Sequence, residues 1–196
     1  MKKVYIIHGF CGVPNGGWLP WLMVELGKKD IFACALPMPN PSEPVALEWV
    51  NFMKDIIGEP NEDVYIVGHS LGGPAVLKYL ESLKEGSRIG GVLLVAPVID
   101  PLDKDNLSSD YRKIDNFLIP EVDFEKIKNI PNKAVVIHGK LDNIVPFSHS
   151  QKIVSKTDWE LVSVEDGYHF SQKSEPIYYE LPQALDSILK MLNYGR

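Results

Sequence analysis

The sequence predicts a doubly wound α/β fold with six parallel strands. Three observations carry that reading. First, the short apolar runs Val64-Tyr65-Ile66-Val67, Val92-Leu93-Leu94-Val95 and Ala134-Val135-Val136-Ile137 are continuous rather than alternating. That pattern suits strands covered on both faces. Second, such runs take turns with longer segments whose apolar residues recur at helical spacing. Third, Gly68-His69-Ser70-Leu71-Gly72 stands where one strand passes sharply into the next helix.

The elements follow in order. Val4–His8 and Ile31–Ala35 supply the first two strands. Val45, Trp49, Phe52, Met53, Ile56 and Ile57 then form one helical stripe, with Ser42 as N-cap and Gly58 as stop. The third strand, Val64–Gly68, leads into a stripe of Val76, Tyr79, Leu80 and Leu83. Pro74 falls in the first turn of that helix, where its missing N–H costs little. The fourth strand is Gly91–Val95. A polar connection of about 35 residues, Pro97–Pro131, comes next, with an apolar island at Asn116-Phe117-Leu118-Ile119 and a short helix over Phe124–Ile130. A connection this long in an α/β domain is more often functional than incidental, and a small lid is the expectation. Ala134–His138 and Glu160–Val164 complete the sheet, with helices at Pro146–Ser155 and Pro182–Tyr194. Right-handed crossovers put helices on both faces.

The chain has 196 residues, of which 45% are apolar and 23% charged. One domain, residues 1–196, is expected, and it should bury roughly 70% of its unfolded surface without a disulfide or metal staple. The net charge is −6 with no run of like charges, so neither nucleic acid nor a membrane surface finds a basic footprint. Met1-Lys2-Lys3 mimics the start of a signal peptide, but only four apolar residues follow before His8, where about 7 to 15 are needed. No window reaches the length of a membrane span. Two cysteines, Cys11 and Cys34, make no disulfide framework. A cytoplasmic protein is the expectation. No His-x-x-x-His pair, dinucleotide Gly-x-Gly-x-x-Gly or phosphate-cradling Gly-Lys-Ser/Thr occurs, so neither metal nor cofactor is expected.

A serine hydroxyl attacks only when a base takes its proton, and the base must itself be oriented by an acid. A strand-to-helix turn that lifts Ser70 to the carboxyl end of a sheet needs small residues on both sides, and Gly68 and Gly72 stand there. In such folds the partners follow in the order Ser, acid, His. Asp142 lies just beyond the fifth strand and His169 just beyond the sixth. Plainer readings stand beside these. Ser70 could be a simple turn residue, and Asp142 a loop cap with Asp166 or Asp115 as the true acid. Among the other histidines, His8 and His138 end strands and are expected to hold loop backbone. His69 should point away from the Ser70 hydroxyl, and His149 should lie at the surface of its helix. Trp18 is divided between core and site. Phe117, Leu118 and Phe147 are candidates to line an acyl pocket, against ordinary packing.

With those residues on the page, the chain resembles a small α/β-hydrolase of the branch that includes retinoblastoma-binding protein nine and the bacterial YdeN proteins. The likeness covers essentially the whole chain. It rests on Val4-Tyr5-Ile6-Ile7-His8-Gly9, Asn15-Gly16-Gly17-Trp18 with Trp21, the Gly68–Gly73 turn, Gly139 with Asp142, and His169. The resemblance implies a sheet in the order 2-1-3-4-5-6 and a catalytic triad of Ser70, Asp142 and His169. An oxyanion hole would then use the backbone N–H of Leu71 and that of Phe10, with Cys11 as the alternative. The implied activity is hydrolysis of a small acyl substrate, carboxylic esters first and amides or thioesters by the same machinery. Perhydrolysis or C–C cleavage could use the same triad. A hydrolase-fold protein that mainly binds a protein partner, of unknown identity, is the competing reading.

Overall fold

The structure, a computed structural model, describes residues 1–102, 109–171 and 176–193. Its strands are Lys3–Ile7 (β1), Phe32–Ala35 (β2), Val64–His69 (β3), Ile89–Val95 (β4), Pro131–Gly139 (β5) and Glu160–Val164 (β6). They form one sheet in the order β2-β1-β3-β4-β5-β6, and every neighbouring pair is parallel. The chain leaves β1 for β2 on one side and returns for β3 on the other. The carboxyl ends of β1 and β3 therefore flank the point where strand order reverses, which is where open α/β sheets bind ligands.

The continuous apolar runs have a direct structural cause. Within β1, Tyr5 and Ile7 face one core while Val4 and Ile6 face another. Helices Ala46–Ile57 (α2), Gly72–Glu81 (α3), Phe124–Ile127 (α5) and Ser148–Thr157 (α6) bury the first face, through residues such as Trp49, Val76, Ile127 and Ile153. Helices Leu19–Gly27 (α1) and Pro182–Met191 (α7) bury the second, through Leu22, Leu26, Ala184 and Ile188. A strand sandwiched in this way has no polar face to alternate with.

Several boundaries differ from expectation. Helix α1 has no counterpart in the sequence reading, because Leu19-Pro20-Trp21-Leu22-Met23-Val24 is apolar on nearly every side and shows no stripe. Ser42 does not cap α2. That helix begins at Ala46, whose N–H donates to Asn116 Oδ1 at 2.6 Å, across 70 positions of sequence. Asn116 Nδ2 donates in turn to the carbonyls of Pro44 (3.1 Å) and Lys113 (2.8 Å). A cap supplied from another segment is invisible to local pattern. Gly58 does end α2, at φ +73°.

In the long connection, 103–108 lie outside the described residues. The remainder contains a 3-10 turn over Ser109–Ile114, a short helix Asp115–Leu118 (α4), and α5. Ile114, Phe117, Leu118 and Phe124 are buried in the core under α2 and α3. The final helix stops at Met191, short of the expected Tyr194, which is itself outside the described residues.

Candidate active site

Ser70 follows the last residue of β3 and adopts φ +54°, a left-handed conformation that costs a non-glycine residue about 1 kcal/mol or more. Neighbouring backbone holds it there. The Ser70 N–H donates to Val95 O at 2.9 Å, and its carbonyl accepts from Gly73 N at 2.9 Å. The turn is tight enough that a Cβ on Gly68 would lie 2.5 Å from Gly72 O, and one on Gly72 would lie 2.2 Å from Ile7 O. Only glycine fits at either position. The sequence Gly-x-Ser-x-Gly is thus a packing requirement for bringing β3, α3 and β1 together under the hydroxyl.

Three loops at the carboxyl edge of the sheet then converge. His169, after β6, places Nε2 at 2.9 Å from Ser70 Oγ and Nδ1 at 2.8 Å from Asp142 Oδ2. Asp142, after β5, has a fully buried side chain. Its Oδ1 accepts from the N–H groups of Ile144 and Val145, both at 2.9 Å. The two readings of Asp142 therefore hold together: Oδ1 caps its own turn while Oδ2 pairs with the histidine. Burial alone would raise the Asp142 pKa. Hydrogen bonds from His138 and His169, the charge interaction with His169 and the Val145 N–H outweigh it and hold the carboxyl well below its ordinary range. An ionised Asp142 requires the proton of neutral His169 to sit on Nδ1, which leaves the Nε2 lone pair facing the serine hydroxyl. Of the rival acids, Asp166 is exposed on the turn after β6, and Asp115 heads α4.

The loop carrying His169 is fixed from beneath. His69 Nε2–H donates to His169 O at 2.9 Å, and Trp18 Nε1–H donates to Phe170 O at 2.9 Å. The rings of Trp18 and His69 meet edge to face at 5.8 Å. His69 thus reaches the backbone of the next loop, and the expectation that it turns from the serine hydroxyl is consistent with this contact. Burial first, and then neighbouring His169, push the His69 pKa down to about 3, so the ring stays neutral and remains a donor. His8 is likewise buried, its pKa lowered by burial, with Nδ1–H donating to Gly9 O at 2.9 Å. His138 holds loop backbone as expected, Nε2–H donating to Val145 O at 3.0 Å. It also lies 3.2 Å from Asp142 Oδ2. Sequence pattern gave no sign of that second contact.

His149 departs from expectation. It is 6% exposed, and its Nδ1 accepts the Ile99 N–H at 3.1 Å, because the β4 exit loop packs on that face of α6.

Above Ser70 lies a cavity of about 340 Å³, within the ordinary range for small-molecule sites. Phe10, Val13, Trp18, Leu19, Ile144 and Phe170 give it apolar walls. Among the described residues, its lining holds no Lys, Arg, Asp or Glu. Trp18 is both things the sequence left open, a core residue at 1% exposure and part of the cavity wall. Phe117 and Phe147 do not line it. Phe117, at 1% exposure, packs edge to face on Trp49 at 5.2 Å, and Phe147 packs on the His138 ring at 5.6 Å. Both sit where the helices meet the sheet, which draws their rings inward. Leu118 is buried in the same core as Phe117.

For oxyanion donors, Leu71 heads α3, where helical N–H groups have no partner within the helix. The loop after β1 passes directly over the serine, since a Cβ on Gly9 would lie 3.0 Å from Ser70 Cβ. Cys11 N–H is committed to Pro41 O at 2.8 Å, and Phe10 lines the cavity beside it. Both cysteines are free thiols. Among the described residues no group of three His, Cys, Asp or Glu side chains is arranged to hold a metal, and no helix is long and apolar enough to cross a membrane.

Comparison with known proteins follows the same lines. Residues 4–188 match the model of a family described as serine hydrolase. YdeN of Bacillus subtilis is 34% identical over 184 residues, covering 92% of this chain and 94% of that protein. Its crystal structure superposes with a TM-score of 0.90 over 98% of this chain and 100% of that one. The rat serine hydrolase RBBP9 is 27% identical over 192 residues, 95% of each chain. An esterase from Exiguobacterium antarcticum, at 14% identity and a TM-score of 0.71 over 98% of this chain and 92% of that one, shares the α/β-hydrolase fold.

Proposed function

The chain belongs to the serine hydrolase family, and we propose that it cleaves uncharged carboxylic esters through an acyl-enzyme on Ser70. The observation that carries this reading is the unbroken chain from Ser70 Oγ through His169 to Asp142, with links of 2.9 and 2.8 Å. His169 Nε2 takes the hydroxyl proton as Ser70 Oγ attacks the ester carbonyl. Asp142 stabilises the imidazolium so formed, and the imidazolium returns its proton to the departing alcohol. Water then enters, gives a proton to the same Nε2, and releases the acid while Ser70 Oγ recovers its hydrogen.

The tetrahedral oxyanion would be met by the Leu71 and Phe10 N–H groups, each worth about 2.7–4 kcal/mol in such a site. The substrate is small, since the cavity holds about 340 Å³. An uncharged substrate fits the apolar walls and the buried neutral His8 and His69, which among the described residues offer a charged group no partner. Amides meet the same machinery with a poorer leaving group. The test is a panel of short aryl esters presented to the wild type and to Ser70→Ala. Turnover by the wild type and a loss of about 10⁶-fold in kcat in the variant are expected. Equal rates in the two proteins would remove Ser70 from the reaction.

A further inference from the structure

Behind the three proposed catalytic residues the hydrogen-bond chain continues into the core. His138 is completely buried at the end of β5. Its Nε2 lies 3.0 Å from Val145 O and 3.2 Å from Asp142 Oδ2, and both of those atoms are acceptors. Nε2 therefore carries a proton; its N–H donates to Val145 O and stands 3.2 Å from Asp142 Oδ2. On the other side of the ring, Nδ1 lies 2.6 Å from Ser150 Oγ. Ser150 is completely buried in the first turn of α6, with its hydroxyl against that ring nitrogen. Asp142 thus accepts three hydrogen bonds and meets one further imidazole N–H. Ile144 and Val145 N–H bind Oδ1 and His169 Nδ1–H binds Oδ2, with His138 Nε2–H 3.2 Å from the same Oδ2.

We infer that His138 is a positioning residue of the proposed hydrolase. It sets a second imidazole N–H against the Asp142 oxygen that pairs with His169 and so moderates how strongly that oxygen draws the His169 proton, while the Ile144 and Val145 N–H groups hold the carboxylate in place. The inference rests on the reading of Ser70, Asp142 and His169 given above. Its physical content is competition. An oxygen that accepts from two imidazoles has less charge to offer either one. Removing the His138 donor leaves Oδ2 to His169 alone, so the imidazolium gains stability and His169 takes up a proton at higher pH. A residue that merely filled space, or merely tied down Val145 O, would have no such effect. If the carboxylate instead swung away when His138 was lost, His169 would lose its partner and its midpoint would fall.

The groups facing this network come from every surrounding element. His69 from β3 touches the His169 backbone, and His8, just past β1, lies beyond it. His149 on α6 feels His138 and Asp142, with Asp100 and Lys152 paired at 2.6 Å on its outer side. Apart from the contribution His138 itself makes at His149, these groups are common to all the proteins compared.

The experiment is an NMR titration of the His169 ring in the intact wild type, His138→Phe and His138→Gln. It reads protonation directly and needs no turnover. Phe keeps the volume and removes the donor, whereas the Gln amide can place N–H near the Nε2 position. The expected result is a His169 midpoint raised by roughly half a pH unit or more in the Phe variant and returned toward the wild type by Gln. A midpoint that is unchanged or lowered in the Phe variant overturns the inference. If Phe fails to fold, His138→Leu takes its place. That change likewise removes the Nε2 donor, so a raised midpoint is again expected and an unchanged or lowered one again overturns the inference. Fluorophosphonate labelling of the same wild-type sample keeps the two readings apart. Absence of labelling counts against the hydrolase proposal and leaves the titration to decide the role of His138.

Discussion

Replacing His69 with Gln should flatten the acid side of the stability profile. The substitution removes a titratable ring and retains a side-chain N–H able to reach the His169 carbonyl, now 2.9 Å from Nε2. In the folded protein, burial and the neighbouring His169 hold the His69 pKa down to about 3 from an ordinary value of 6.5. Between those values the unfolded chain binds one proton more than the folded one. Stability contributed by the neutral ring is therefore present above pH 6.5 and lost as pH falls toward 3. From about pH 7 to about pH 5 the loss is about 2 kcal/mol, since each unit below the unfolded pKa is worth about 1.4 kcal/mol. His8 and His149, whose pKa values are also lowered by burial, add losses of the same sign. They are present in both proteins and cancel in the comparison. The assay is urea unfolding of the wild type and His69→Gln at the two pH values. The gap between them should move by about 2 kcal/mol in favour of the variant on acidification. A gap that stays constant would show that His69 is not held neutral. The buried donor beneath the proposed base would then need another explanation.

Two further outcomes follow from the site's geometry. Gly72→Ala drives a Cβ to 2.2 Å from Ile7 O, backbone that cannot step aside. It should cost about 1–3 kcal/mol or more, read as a lowered Tm, together with loss of ester turnover as the turn under Ser70 opens. Iodoacetamide should slow ester hydrolysis by the wild type, because the half-buried Cys11 lines the cavity. Cys11→Ser should be insensitive, and undiminished rates in fully alkylated wild type would place the thiol away from the substrate.

The sheet was legible because its inner strands β1, β3, β4 and β5 are covered on both faces, so each apolar run announces itself locally. The turn at Ser70 was legible for a similar reason. Gly68 and Gly72 are dictated by contacts within a few residues or with the adjacent strand, and they leave a fixed spacing in the sequence. Asp142 and His169 could be placed by chain order and by their position just past a strand. What local pattern cannot carry is the path of a loop after its strand ends. His149 was expected at the surface, yet Ile99 donates to it from another element. Asn116 caps α2 from 70 positions away, while Phe117, next to it, packs on Trp49 and does not reach the cavity. The support beneath His169, from His69 and Trp18, and the second imidazole on Asp142 likewise exist only once four loops share one edge of the sheet. Helix α1 was hidden for the opposite reason. Its sequence is too uniformly apolar to show which side faces the core.

The central claim is that Ser70 is a nucleophile made reactive by His169. Intact-mass measurement after treatment with a fluorophosphonate, followed by peptide mapping, tests it most directly. The account predicts a single phosphonyl adduct per chain, carried by Ser70 and absent from Ser70→Ala. A wild-type protein that stays unmodified, or an adduct that survives in Ser70→Ala, would contradict it.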